Sequence, residues 1–204
     1  MPKITQITVQ EKNKNRCNVF VDGGFFIALP IELVYKHSLS VGLEIIPREF
    51  EQIVFEKDKS DALNKSIEYV SKSLKTKKQV KTYLLNKGYS LKIVDYCLEK
   101  LIEYRYIDDV EYAKRFIEST SNYQGVNLTR YKLMMKGLSK QDIEQVYENV
   151  EIDSKKNAKD LAEKRLKNKE ITRELLSKTY RYLISKGFTY EEATFAIDCF
   201  KEEL

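Results

Sequence analysis

The sequence predicts a mainly α-helical protein: three tandem three-helix repeats, helix-turn-helix-like, in an elongated curved array that follows a small N-terminal β-hairpin unit. Lys-Gly, then a bulky residue, then Ser or Thr, occurs three times, with the glycines 49 and 50 residues apart. A constant period near fifty residues indicates one structural unit repeated. Residues 3–29 instead alternate apolar and polar positions, which is typical of β-strands. The predicted segments are 1–60 for the hairpin unit and 61–108, 109–152 and 153–204 for the repeats.

The hairpin unit is predicted from its apolar runs and the turn residues between them. Two β-rich runs flank Asp22-Gly23, and Asp-Gly in that position favours a tight hairpin turn because the turn needs positive φ. Pro30 and Pro47 each lack the N–H that the first turn of a helix leaves unpaired, so each can open a helix. Short helices are therefore expected over 31–37 and 48–58.

Each repeat is predicted to contain three helices, the last two of which are joined by the recurring motif. The glycine suits a left-handed residue just past a helix end. The Ser or Thr two residues later can cap the next helix, and the bulky residue between them can pack under the turn. The first helix of each repeat is expected over 61–73, 109–120 and 155–169.

Composition narrows the class of protein. Charged residues make up 33% of the chain and apolar residues 42%, with seven Gly and three Pro, which fits a helical protein with a thin core. No apolar run approaches twenty residues and the start shows no signal-peptide pattern, so we expect a cytoplasmic protein without membrane contact. The three cysteines, Cys17, Cys97 and Cys199, are widely scattered, which predicts free, buried thiols. His37 is the only histidine, which excludes any mechanism that needs a histidine cluster.

No catalytic, metal or cofactor site is predicted. The chain lacks a phosphate-cradling glycine loop, a nucleophile elbow and zinc-type spacing. Asp108-Asp109 could hold a metal, but adjacent carboxylates just before a helix are more simply an N-cap and a partner of the helix dipole. We therefore expect a protein that is not an enzyme and takes no cofactor.

Positive charge is concentrated in one window of the first repeat. The net charge is +5, and residues 1–60 contribute none of it, with eight basic and eight acidic residues. No acidic residue occurs between Glu68 and Asp95, so a contact with a polyanion or an acidic protein and an ordinary solvated face are equally open. The basic stretch over 155–169 is diluted by acids, which favours a solvated face. Helical spacing of the window's tyrosines favours core packing over stacking on bases. These tyrosines are Tyr69, Tyr83 and Tyr89.

With the repeats aligned, the sequence resembles the RecX family, the bacterial regulators of the recombinase RecA. The most specific stretch is 104–113, which is similar to the family's Leu-Asp-Asp-x-x-Tyr/Phe-Ala signature, with Ile107 in the usual Leu place. The three Lys-Gly motifs match its helix-ending motifs, and the opening hairpin resembles the N-terminal extension of its Gram-positive members. One departure is that 121–127 keeps the family's glycine, Gly125, without its basic neighbours.

The resemblance implies a non-catalytic regulator in DNA repair, homologous recombination and the SOS response. Family members bind RecA and its filament on single-stranded DNA, and limit filament growth, strand exchange, ATP hydrolysis and co-protease activity. For this chain we expect a monomer whose partner is RecA or its filament, with weak direct DNA binding as an additional contact. The residues expected to contribute charge to the contact are Lys72, Lys75, Lys77, Lys78, Lys81, Arg130 and Lys132.

Two other functions remain open at this point. A direct DNA-binding protein is one, because each repeat contains a helix-turn-helix-like pair. Acidic residues on the second helix of those pairs, such as Asp142 and Glu144, speak against it. A generic helical-repeat scaffold for a different protein partner is the other.

Overall fold

The computed structural model describes residues 1–201 and shows three strands and ten helices in that range. The strands are β1 Ile4–Val9, β2 Arg16–Val21 and β3 Gly24–Pro30. The helices are α1 Ile31–Lys36, α2 Pro47–Ser71, α3 Lys77–Asn86, α4 Leu91–Glu103, α5 Asp109–Thr120, α6 Val126–Met135, α7 Lys140–Glu148, α8 Ser154–Leu166, α9 Arg173–Ser185 and α10 Tyr190–Asp198. The predicted class, mainly helical with a small N-terminal antiparallel sheet, is confirmed.

The three strands form one antiparallel sheet in the order β1-β2-β3. Asp22 and Gly23 have φ of 47° and 86°, and Val21 pairs with Gly24 directly across them, so the predicted hairpin turn is confirmed. The buried side chains of the sheet pack against α1, α2 and the segment between them. This core contains Ile4, Cys17, Val19, Leu29, Val34, Ile45 and Ile53.

Helix α2 replaces two helices that the sequence predicted separately. The expected interruption between 48–58 and 61–73 does not occur, and α2 runs without a break for 25 residues. The linking residues contain neither Gly nor Pro, the two residue types that most strongly disfavour a helix interior. Arg16 of β2 donates to Asp61 at 3.0 Å, which ties the middle of α2 to the sheet.

The three Lys-Gly turns have the predicted left-handed glycine. The φ values of Gly88, Gly137 and Gly187 are 85°, 99° and 89°. In the second turn Leu138 N donates to Leu133 O at 3.2 Å, the backbone bond that closes a helix ending of this type. The bulky residue of the second and third turns is buried, as expected of a side chain that packs under the turn.

The residues after the turns cap the next helix. Ser139 Oγ accepts from Asp142 N at 3.0 Å, and Thr189 Oγ1 accepts from Glu192 N at 3.2 Å. Glu192 in turn accepts from Thr189 N at 2.8 Å, which completes a reciprocal capping box. The capping prediction is confirmed at these two turns.

Internal contacts divide the chain into two compact units. The first comprises Met1–Ser71 and Tyr83–Glu103, and the second comprises Lys72–Thr82 and the chain from Tyr104 onward. The chain therefore passes between the units within α3. The four-segment division stays a prediction; its first boundary falls inside α2, and residues 202–204 of its last segment lie outside the described residues.

In the second unit, α9 is longer than its counterparts in the other repeats. Counted from the helix start, α3 and α6 have 10 residues and α9 has 13. Thr172 Oγ1 caps the additional turn by accepting from Leu175 N at 3.2 Å. Helix α8 ends at Leu166, three residues before the predicted end, because the backbone becomes left-handed at Asn168 with φ of 62°.

Candidate functional site

All seven basic residues expected to contact a partner belong to the second unit. Two precede α3, three lie near its start and two lie on α6. In chain order they are Lys72, Lys75, Lys77, Lys78, Lys81, Arg130 and Lys132.

The start of α3 is the part of this set most available to a partner. Lys77, Lys78 and Lys81 are exposed, and α3 contains no acidic residue. The first turn of a helix carries partial positive charge, but the Asp109 carboxylate already lies there, 2.9 Å from Lys77 N, so the attraction comes from the three ammonium groups. Lys75, just before the helix, donates to Ser73 Oγ at 2.6 Å. The start of α3 can therefore attract an anion or an acidic protein surface.

The same start of α3 is held against the turn between α6 and α7. Thr76 Oγ1 donates to Lys136 O at 2.7 Å, and Lys78 Nζ donates to Met135 O at 3.1 Å. A Cβ on Gly137 would lie 2.4 Å from Lys78 Cβ, so α3 reaches the turn only because residue 137 has no side chain. This Lys-Gly turn therefore ends α6 and also contacts the start of α3 in the preceding repeat.

The start of α6 is held in the same way against the turn between α9 and α10. Gly125 N donates to Lys186 O at 2.9 Å and Asn127 N donates to Gly187 O at 3.1 Å. A Cβ on Gly187 would lie 2.4 Å from both Cβ and N of Leu128. Two successive junctions thus join the start of one second helix to the turn that ends the next.

Gly125 is a glycine for reasons of packing. Its φ of −76° is open to any residue, so its backbone conformation does not require glycine. A Cβ at this position would lie 2.2 Å from Phe188 N. The backbone at Gly125 approaches the backbone at Phe188 so closely that only glycine fits. The junction does not depend on basic residues next to Gly125, which this chain lacks.

The junctions connect helices that share a charge pattern. Residues 119–141 around α6 and 175–190 around α9 contain no acidic residue, as is also true of 69–94 around α3. Sequence reasoning recognised only the window around α3, where lysines are densest. Aligning the acid-free intervals on the repeat would have found the other two. We call α3, α6 and α9 the second-helix row.

Arg130 is engaged within its own repeat. Its guanidinium donates to Glu144 Oε2 at 2.5 Å and lies 5.0 Å from the ring centroid of Tyr147. Its Nε is buried without a hydrogen-bond partner. Lys132 likewise donates to Gln124 Oε1 at 2.5 Å. These two residues hold α6 to its neighbours, and a partner contact by them stays a prediction.

Replacing Arg130 with Ala is expected to lower the free energy of unfolding by about 1–2 kcal/mol, because the ring contact and the partly exposed ion pair are both lost. Urea unfolding followed by circular dichroism measures the change. Lys81→Ala is the matched control, for which a surface position predicts less than about 0.5 kcal/mol. Equal effects of the two substitutions would contradict the internal role of Arg130.

Asp108 and Asp109 cap two different helices. Asp108 Oδ1 accepts from Val110 N at 2.9 Å and Glu111 N at 3.0 Å, which confirms the predicted N-cap. Asp109 Oδ1 accepts from Lys77 N at 2.9 Å and so caps α3. Burial raises the pKa of the Asp109 carboxyl above its usual range, against the opposing effect of the Lys77 N–H. Among the described residues, no group of three or more potential ligands could hold a metal ion.

The tyrosines of the basic window pack within the first unit. The rings of Tyr69 and Tyr83 are stacked, with centroids 4.1 Å apart and planes within 3°. The hydroxyl of Tyr89 accepts from Lys65 Nζ at 3.0 Å. Each stacked ring already has a face covered, so packing describes these residues better than base stacking does.

Two expectations from composition concern thiols and membrane segments. All three cysteines are free, as predicted, and Cys17 and Cys97 are buried. The expectation of burial is wrong for Cys199, which is exposed near the end of α10. Burial raises the pKa of the Cys97 thiol to about 11, so this thiol is protonated at neutral pH. Within residues 1–201, no helix has the length and apolar character needed to cross a membrane.

Three family models match the chain. They are the regulatory protein RecX N-terminal domain over residues 2–46, the first RecX three-helix domain over 62–101 and the third RecX three-helix domain over 153–197.

Curated relatives match over nearly the whole chain. The regulatory protein RecX of Clostridium tetani is 35% identical over 195 residues, covering 93% of this chain and 90% of the relative. That of Clostridium botulinum strain Alaska E43 is 36% identical, covering 94% and 92%. That of Listeria monocytogenes is 31% identical, covering 96% and 77%.

Two solved structures share the fold. A crystal structure of regulatory protein RecX aligns with a TM-score of 0.72 at 24% identity, covering 97% of this chain and 100% of that one. A crystal structure of RecX from Lactobacillus salivarius aligns with a TM-score of 0.63 at 23% identity, covering 71% and 97%.

Proposed function

The chain belongs to the RecX family of regulatory proteins, and we propose that it is a non-catalytic modulator, mainly an inhibitor, of the RecA recombinase. In this proposal it binds RecA and the RecA filament on single-stranded DNA. Binding limits filament growth, strand exchange, ATP hydrolysis and co-protease activity. The observation that carries the proposal is identity of about 35% to regulatory RecX proteins over more than nine-tenths of the chain.

The geometry supports a contact by charge complementarity. The start of α3 presents three exposed lysines, and the second-helix row itself contains almost no carboxylate, although Asp109 of α5 caps α3 at Lys77 N. Such a surface attracts an acidic protein face or the phosphates of a filament, and the attraction weakens as salt screens it.

The test is the single-stranded-DNA-dependent ATPase of the cognate RecA, with this protein titrated in below one molecule per RecA. We expect inhibition at substoichiometric ratios, because a molecule that stops filament growth affects many subunits. Full ATPase activity at equimolar protein would overturn the proposal.

Direct DNA binding is the second candidate, and the same titration separates it. Acidic residues occur on the third helix of each repeat, for example Asp95 on α4, Asp142 on α7 and Glu191 on α10, where a major-groove helix would need basic or neutral residues. Tight, steeply salt-dependent binding to bare DNA without any effect on RecA would favour this candidate.

A further inference from the structure

The outward face of α6 carries apolar side chains that the fold does not use. Thr129 and Leu133 form its buried face, with exposures of 2% and 0%. On the opposite face, Tyr131, Met134 and Met135 are 56%, 45% and 59% exposed. Their spacing of three and four residues places them side by side. We call these three residues the α6 stripe.

The α6 stripe is particular to the middle repeat. Aligned on the Lys-Gly turns, Tyr131 corresponds to Thr82 in α3 and Arg181 in α9, and Met135 corresponds to Asn86 and Ser185. Met134 alone has apolar counterparts. A solvent-facing helix surface is ordinarily polar, and the first and third repeats follow that rule at two of the three positions. The middle repeat departs from that rule at all three positions.

Positive charge borders the stripe. Lys78 crosses the end of α6, with Nζ 3.1 Å from Met135 O and its side-chain carbons over Gly137. Lys81 lies one turn further along α3 and is exposed. No acidic residue occurs in either helix. The surface is thus apolar, with cations on one side.

These features fit a protein partner better than a nucleic acid. Methionine side chains are flexible and adapt to irregular apolar surfaces, whereas stacking on bases needs aromatic rings, of which the stripe has one. The two cations nearest along α6, Arg130 and Lys132, are already bonded to Glu144 and Gln124, which leaves few charges to follow a phosphate chain.

We propose that the α6 stripe, with Lys78 and Lys81, docks an apolar segment of a partner protein that carries carboxylates along one edge. This inference rests on the proposed function, in which the partner is a RecA protomer. In this inference the apolar side chains give the contact its specificity. The lysines supply the electrostatic attraction that brings the two surfaces together.

The test replaces two stripe residues with those of the first repeat, Tyr131→Thr together with Met135→Asn. Both changes are compatible with an exposed helix that ends in the same turn. The half-inhibitory concentration in the RecA ATPase titration is measured, together with affinity for bare single-stranded DNA and the melting temperature. We expect the half-inhibitory concentration to rise by about ten-fold or more, as for loss of an aromatic anchor, with DNA affinity and melting temperature unchanged.

A matched control removes exposed aromatic side chains elsewhere in the second unit. Tyr190→Thr together with Phe195→Asn changes residues that are 74% and 42% exposed, and it should leave inhibition unchanged. Wild-type inhibition by the stripe variant overturns the inference while leaving the proposed function standing. An equal loss of affinity for bare DNA also overturns it, because the stripe would then be a nucleic-acid surface. Failure of the unmodified protein to affect RecA would instead overturn the proposed function.

Discussion

Gly187→Ala is expected to destabilise the second unit by about 3 kcal/mol or more, the sum of a left-handed backbone and an overpacked contact. The φ of Gly187 is 89°, and a Cβ there would lie 2.4 Å from the backbone N of Leu128. Backbone atoms cannot move aside as the end of a flexible side chain does. For a chain of this size the melting temperature should fall by roughly 6–12 °C, as measured by circular dichroism.

Two further glycine variants separate the effect of the left-handed backbone from that of the overpacked contact. Gly88→Ala meets the same left-handed backbone, with φ of 85°, but no atom within 4 Å, so it should cost only about 1–2 kcal/mol. Gly125→Ala causes no backbone strain, but its Cβ would lie 2.2 Å from Phe188 N. The stability lost in this variant therefore measures the junction contact alone. If Gly187→Ala cost no more than Gly88→Ala, and Gly125→Ala cost nothing, the glycines of the turns would serve conformation alone, and the junctions would have no special weight.

Reversing three charges at the start of α3 is expected to have the largest effect on partner binding. In the variant with Lys77→Glu, Lys78→Glu and Lys81→Glu, the half-inhibitory concentration in the RecA ATPase titration should rise by roughly ten- to hundred-fold. Each exposed charge pair contributes about 0.2–1 kcal/mol, and reversal adds repulsion to the loss of attraction. The difference from wild type should shrink as salt is raised.

The control for this variant changes the same number of lysines on another helix of the second unit. Lys156, Lys159 and Lys164 of α8 are exposed, and their reversal to Glu alters net charge equally. Inhibition lost to the same degree in both variants would mean that overall charge, not the start of α3, governs the contact. Because Lys78 also bonds to Met135 O, the melting temperature of each variant is measured alongside.

The glycine predictions depend on one feature of the architecture, the junction between a second helix and the next Lys-Gly turn. Thr76 Oγ1 donates to Lys136 O and Gly125 N donates to Lys186 O, so each junction in the second unit is made to the backbone carbonyl of the turn's lysine. The acceptor is the same backbone group in both turns, although the surface residues of the two repeats differ.

Local features of the fold were predictable because each depends on residues close in sequence. The left-handed glycine, the caps at Ser139 and Thr189 and the Asp22-Gly23 hairpin all follow from backbone rules over a few positions. The single helix α2 was not predicted, because nothing in residues 58–60 separates a short loop from a continuing helix except the core packing on either side.

The candidate site was predictable only in part, because only some of its features depend on residues close in sequence. The acid-free window and its lysines can be read from the chain, since charge density is a property of sequence. Other features of the site depend on contacts between elements. Arg130 is bonded to Glu144, 14 residues away, and Asp109 caps a helix at a residue 32 positions before it.

The sequence by itself thus determined the repeat, its turns, its caps and where its charge is concentrated, because these are set by neighbours along the chain. Only the tertiary structure decided which charges remain free to meet a partner, and that α6 turns Tyr131 and its two methionines outward. It also decided that two of the three recurring glycines, Gly137 and Gly187, are contact points between repeats. The junctions bring together segments about sixty residues apart, and no local pattern specifies such contacts.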